Sequence, residues 1–128
     1  MSVRDQLRVL VVDDMSTSRG LITQALDGFG IRHVESVADG HSALQKLKSW
    51  PVHMVISDMN MPGMNGLQLL HVLRNAPKTS NVGFLLITGK AEKSIIETGK
   101  KLGMNNFLAK PFNPDDLRKA VEAIVGRL

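Results

Sequence analysis

Val9-Leu10-Val11-Val12-Asp13-Asp14 is an unbroken apolar, largely β-branched run that ends in two carboxylates. Four consecutive apolar side chains leave no polar face, so the segment reads as a strand covered on both sides, as in a parallel sheet lying between helices. Phe84-Leu85-Leu86-Ile87 has the same form and runs into Thr88. Three further strand candidates are His33 to Ser36, which alternates as an edge strand does, His53 to Ser57, and Asn106 to Ala109. Short strands separated by longer stretches of helical period predict one (βα)5 unit of the α/β class over residues 1–128, with no repeat or linker.

The intervening stretches carry helix signals of unequal strength. Leu21, Ile22, Ala25, Leu26 and Phe29 form the apolar face expected of the first helix, and Gly28 or Gly30 ends it. Asp39 is the expected N-cap of the second, which continues through Ala43, Leu44 and Leu47. The third follows Asn65-Gly66 with Leu67, Leu70 and Leu73 and is broken by Pro77. A fourth is expected from about Ala91 to Leu102, ended by Gly103. Its interior Gly99 costs about 0.5–1 kcal/mol relative to alanine, which makes it the least secure of the five. In the last, Asn113 caps, Pro114 suits the first turn, Asp115 and Asp116 face the positive end of the dipole, and Leu117, Ala120, Val121, Ile124 and Leu128 form the stripe.

Composition narrows the function. A chain of 128 residues with 43% hydrophobic residues has room for one core, which excludes a two-domain enzyme. No run of 18 apolar residues occurs and the first six residues lack a signal-peptide stretch, so a cytoplasmic protein without membrane contact is expected. The absence of cysteine removes disulfides and thiolate chemistry, and His33, His41, His53 and His71 lack the spacing of a zinc helix. The net charge of +4 is not gathered into a basic block, and aromatics are 4% of the chain, so nucleic acid is not an expected partner. A monomer is expected.

In an open α/β sheet, ligands bind beyond the carboxyl ends of the strands, near the point where strand order reverses. That rule gathers Asp13 and Asp14 after the first strand, Asp58 after the third, Thr88 after the fourth and Lys110 after the fifth. Singly, each has an ordinary reading: Asp14 as a helix cap, Thr88 as a turn residue, Lys110 as a solvated loop lysine. Their joint placement at one sheet edge favours chemistry. Three carboxylates repel one another unless a cation intervenes, and an all-oxygen donor set with room for water and phosphate oxygens suits Mg²⁺. Lys110 and Thr88 then suit an incoming phosphoryl group, whose transfer needs chiefly positioning and charge neutralisation.

The segments Asp13-Asp14, Asp58-Met59-Asn60-Met61-Pro62-Gly63-Met64-Asn65-Gly66, Thr88-Gly89 and Lys110-Pro111-Phe112 resemble the signature of two-component response regulator receiver domains, especially single-domain chemotaxis regulators. The resemblance spans essentially the whole chain. It implies a flavodoxin-like, doubly wound parallel sheet of order 2-1-3-4-5 and an aspartyl phosphate on Asp58. It also implies Mg²⁺ held by Asp14, Asp58 and the backbone carbonyl of Asn60, with Asp13 acting mostly through water. Lys110 would contact the phosphoryl group, Thr88 and Phe107 would form the switch pair, and the Lys110-Pro111 bond would be cis. Asn60 and Lys90 occupy positions that tune dephosphorylation in the family. Phe107 stands in place of the usual tyrosine, and Met59 in place of a tryptophan. The one tryptophan, Trp50, is expected far from the site.

The implied function is a switch that takes a phosphoryl group from a histidine kinase, expected to be of the chemotaxis type, and then binds a flagellar motor switch protein or another target. A phosphorelay intermediate or phosphate sink is the alternative. A flavodoxin-type electron carrier fits poorly, because Asp13 and Asp14 would repel the FMN phosphate. An aspartate-nucleophile phosphatase would need an acid two residues after Asp58, where Asn60 stands. The expected partner surface comprises Lys93, Lys100, Lys101, Phe107 and Lys119, in a C-terminal third that carries most of the net positive charge.

Overall fold

The computed structural model describes residues 3–89 and 92–128. Five parallel strands, β1 (Arg8–Val12), β2 (His33–Val37), β3 (Met54–Asp58), β4 (Gly83–Thr88) and β5 (Asn106–Ala109), form one sheet in the order β2-β1-β3-β4-β5. The helices are α1 (Val3–Gln6), α2 (Ser16–Gly28), α3 (Gly40–Ser49), α4 (Gly66–Arg74), α5 (Lys93–Leu102) and α6 (Pro114–Val125). This is the flavodoxin-like, doubly wound sheet order expected from the sequence. The short α1 has four residues, too few to show a period.

Alternation along each strand divides the core into two layers. Val9 and Val11 of β1, Ile56 of β3, and Leu85 and Ile87 of β4 pack under α2 and α6 with Ile22, Leu26, Leu117 and Val121. Leu10, Val12, Val55, Phe84 and Leu86 face the other way, toward Ala43, Leu47, Leu69, Leu70 and Leu73 of α3 and α4. Every residue of β3 and β4 is buried, as unbroken apolar runs require of central strands.

Local signals set the helix starts. Asp39 accepts the Ser42 amide, and Asn65 with Gln68 and Asn113 with Asp116 form reciprocal capping boxes. α5 stops where Gly103 takes the left-handed conformation, φ 95°. Three expectations need correction. Leu21 does not belong to the buried face of α2: it is 63% exposed, while Ile22 and Leu26 are buried, because adjacent helical positions point about 100° apart. Leu128 lies beyond α6, which ends at Val125, although it still packs on the same core layer. Strand ends also shift by one residue, so Asp58 and Thr88 are the last residues of β3 and β4 rather than the first beyond them. The expected start of α5 at Ala91 lies outside the described residues.

Candidate functional site

Because all five strands are parallel, their carboxyl ends share one edge, and the sheet order reverses between β1 and β3. Asp13 and Asp14 follow β1, Asp58 closes β3, Thr88 closes β4 and Lys110 follows β5. The register sets Asp58 beside Ile87 and Thr88 beside Ala109. Asp13, Asp14 and Asp58 each present a carboxylate oxygen, and these oxygens lie within 4.8 Å of one another. Asp13 and Asp58 are buried and Asp14 is exposed, so the cluster has a closed floor and an open mouth.

Asp13 is held from several sides. Its amide donates to Val37 O at 3.1 Å, and its Oδ1 accepts the Met15 amide at 3.0 Å. Its Oδ2 is the one buried side-chain polar atom among the described residues without a hydrogen-bond partner. A buried carboxylate oxygen facing two other carboxylates lacks a compensating charge, and an all-oxygen set of this kind fits a hard divalent cation such as Mg²⁺. Asp14 does not act as the α2 cap: Met15 occupies that position and supplies no side-chain bond.

Lys110 Nζ lies 3.3 Å from Asp58 Oδ1. Its backbone amide donates to Thr88 O at 2.8 Å, and the Lys110-Pro111 bond is cis. Burial pushes the Asp58 carboxyl above its ordinary value, and the Asp13 charge adds to this. The Lys110 charge and the Met59 amide oppose it. Thr88 is completely buried at the end of β4, and Phe107 is half-buried on β5, packed on the α3–α4 side of the sheet opposite Leu86. Asn60 is exposed in the loop after β3. Lys90 lies outside the described residues.

Two features of the site edge escape sequence reasoning. Arg19 Nη1 donates to Asp13 O at 2.8 Å, bracing the carboxylate loop from the first turns of α2. An arginine six residues after an aspartate carries no signal of that contact. Met15, Leu21, Ala25, Pro111 and Phe112 line a groove of about 620 Å³ that reaches Lys110. Assigning Leu21 to the core hid this groove.

The expected partner surface spans α5 and reaches α6. Lys93 opens α5 and pairs with Glu97 at 3.9 Å, whereas Lys100 and Lys101 are exposed in its last turn. Lys119 on α6 pairs with Asp115 at 3.2 Å. Trp50 caps the C-terminal end of α3, at the amino edge of the sheet, one strand length from the carboxylates. No helix among the described residues is long and apolar enough to cross a membrane.

Residues 9–122 match the family model of the response regulator receiver domain. The chain is 38% identical over 128 residues to the "Probable chemotaxis protein CheY" of Rhizobium etli, covering 100% of this chain and 99% of that one. Among solved structures it resembles chemotaxis protein CheY4 of Vibrio cholerae, with TM-score 0.87, 32% identity and coverage of 92% and 98% of the two chains. It also resembles the receiver domain of sensor histidine kinase PA1611 of Pseudomonas aeruginosa, a structure with a magnesium ion coordinated in the active-site cleft. There the TM-score is 0.84, the identity 26% and the coverage 94% and 98%.

Proposed function

The chain belongs to the response regulator receiver family, and on that premise we propose that it is a cytoplasmic switch phosphorylated on Asp58 by a histidine kinase. The observation that carries the reading is the buried Asp58 carboxylate, 3.3 Å from Lys110 and in reach of Asp13 and Asp14. Asp58 Oδ attacks the phosphorus of a phosphohistidine. The new O–P bond forms as the N–P bond breaks, and its electron pair returns to the imidazole nitrogen. Lys110 neutralises charge on the arriving phosphoryl oxygens, and Thr88 supplies a hydroxyl donor at the same edge. Asp13, Asp14, Asp58 and the Asn60 carbonyl are the groups that would hold Mg²⁺, which supplies Lewis-acid charge to the phosphoryl oxygens.

The apolar groove bordering Lys110 suits the phosphodonor, since Met15 and Leu21 are 58% and 63% exposed there. The relatives are named as chemotaxis proteins, and the partners proposed for this chain are a histidine kinase of the chemotaxis type and a flagellar motor switch protein. Dephosphorylation is tuned by Asn60, two positions after Asp58 in the sequence, and by Lys90, two positions after Thr88. Output runs through Thr88 and Phe107 to the surface of Lys93, Lys100, Lys101 and Lys119. The same groove favours one other reading, a phosphorelay intermediate that hands the group onward.

Incubation with Mg²⁺ and acetyl phosphate should add one acid-labile phosphoryl group, mapped to Asp58. The signal should vanish with EDTA or in Asp58→Asn. Equal labelling of Asp58→Asn would refute the assignment. Transfer from the labelled protein to a histidine phosphotransfer domain, faster than hydrolysis, would select the relay.

A further inference from the structure

The edge of the sheet remote from Asp58 carries a second surface. Leu44, Leu47, Val72, Leu73 and Pro77 line a groove of about 530 Å³ between α3 and α4, bordered by Lys48 and Lys78. Val72 is 37% exposed, a large aliphatic side chain facing solvent in the last turn of α4. The lining has no aromatic ring on which a base could stack.

Charge around this groove is one-sided. Between residues 40 and 89 the sequence holds Lys46, Lys48, Arg74 and Lys78 but a single acid, Asp58, which lies at the other sheet edge. Lys46 pairs with Glu35 at 3.1 Å, and the Arg74 guanidinium donates to Gly103 O and Asn105 Oδ1. Lys48 and Lys78 have no carboxylate within 4.0 Å among the described residues. On the α5–α6 surface Lys93, Arg118 and Lys119 are matched by Glu97, Glu122 and Asp115, and Lys100 and Lys101 are the unpaired cations there among the described residues, so the unpaired charge of the α3–α4 groove is a second, separate cationic site.

We propose that the α3–α4 groove docks an acidic amphipathic helix of a protein partner, with apolar side chains at i, i+3 or i+4 and i+7 seated along Leu44, Val72 and Pro77 and flanking Asp or Glu paired with Lys48 and Lys78. A two-helix groove with an aliphatic floor and cationic rims is complementary to such a helix in both shape and charge. The contact is separate from the phosphorylation site, so it holds the acceptor and Asp58→Asn forms equally.

The test uses the intact chain and a fluorescein-labelled model helix of about 16 residues bearing Leu at those spacings and Glu on its flanks, with a Lys-flanked counterpart. Anisotropy should show binding of the acidic helix that weakens about tenfold or more in Val72→Glu and on raising salt. The double exchange Lys48→Glu with Lys78→Glu, at two exposed positions outside the core, should instead prefer the basic helix. Amide shift changes should centre on α3 and α4. Unchanged affinity in these variants, or shifts centred on α5 or beside Lys110, overturns the proposal. Lys48- and Lys78-dependent sedimentation with phosphatidylserine vesicles, with no binding of the acidic helix, overturns it in favour of a membrane surface.

Discussion

Asp58 and Asp13 have different electrostatic problems. Burial raises the Asp58 carboxyl above its ordinary value of 3.8, with Asp13 adding and Lys110 opposing. The unfolded chain releases that proton at a lower pH than the folded one. The contribution of Asp58 to stability is therefore present below 3.8 and lost as pH rises through the raised folded value. Without divalent ions near pH 7, Asp58→Asn should melt higher than the parent, by on the order of a few degrees. The gap should narrow toward acid pH and on adding Mg²⁺ to the parent. Loss of the Lys110 pair works against this gain, since Asp58 and Lys110 are only 7% and 28% exposed, and the melting difference reads the balance of the two. A calorimetric scan with no gap at pH 7 would show that the buried charge is already compensated. Asp13→Asn tests the other problem. With Oδ2 unpartnered, removing its charge should leave the fold intact and weaken Mg²⁺ binding about tenfold or more, read by isothermal titration.

At the scale of elements, the start of α4 sets the position of Asp58. Gly66 follows the Asn65 cap, and a Cβ there would stand 2.6 Å from Asp58 O and 2.7 Å from Leu86 Cδ1. Replacing a helical glycine by alanine ordinarily stabilises, but here the nearest atom is backbone and cannot step aside. Gly66→Ala should therefore cost about 1–3 kcal/mol, measured by urea denaturation, and slow phosphorylation by displacing the β3 terminus. Strand runs and caps were legible because each rests on contiguous residues: Asn113 and Asp39 cap as expected, and the helix expected after Asn65 starts there. The carboxylate edge was legible because parallel topology aligns strand ends without reference to side-chain detail. The tight fit at Gly66, the Arg19 brace and the outward turn of Leu21 were not legible, because each depends on how separate elements pack. The rims of the α3–α4 groove were hidden for another reason. Sequence charge counted along the C-terminal third included lysines that the fold neutralises with neighbouring acids.

Across the whole molecule, burial is uneven in a way that suits a switch. Every residue of β3 and β4 is buried, whereas β5 is half-buried and α5 buries Gly99 alone among its residues. Gly99 lowers helix stability by about 0.8–1.0 kcal/mol relative to alanine. A Cβ there would meet the Met104 Sδ atom, so alanine is admitted only if the Met104 side chain swings aside. The site and α5 are joined through β4 and β5: Thr88 ends one strand, Phe107 lies on the other, and Ile95, Leu102 and Phe107 pack on the same core layer. In the proposed switch, a phosphoryl group that drew Thr88 toward it would therefore act on the least anchored helix rather than on the central strands. Local opening should follow the same gradient. Amide hydrogen exchange of the Mg²⁺-bound, unphosphorylated protein should show α5 opening at least about tenfold more readily than β3 and β4, a difference of about 1.4 kcal/mol. Addition of beryllofluoride, a phosphoryl mimic, should change protection in α5 and β5 while leaving α3 as it was. Equal protection in α5 and β3, or a response confined to α3, would separate the switching path from Thr88 and Phe107.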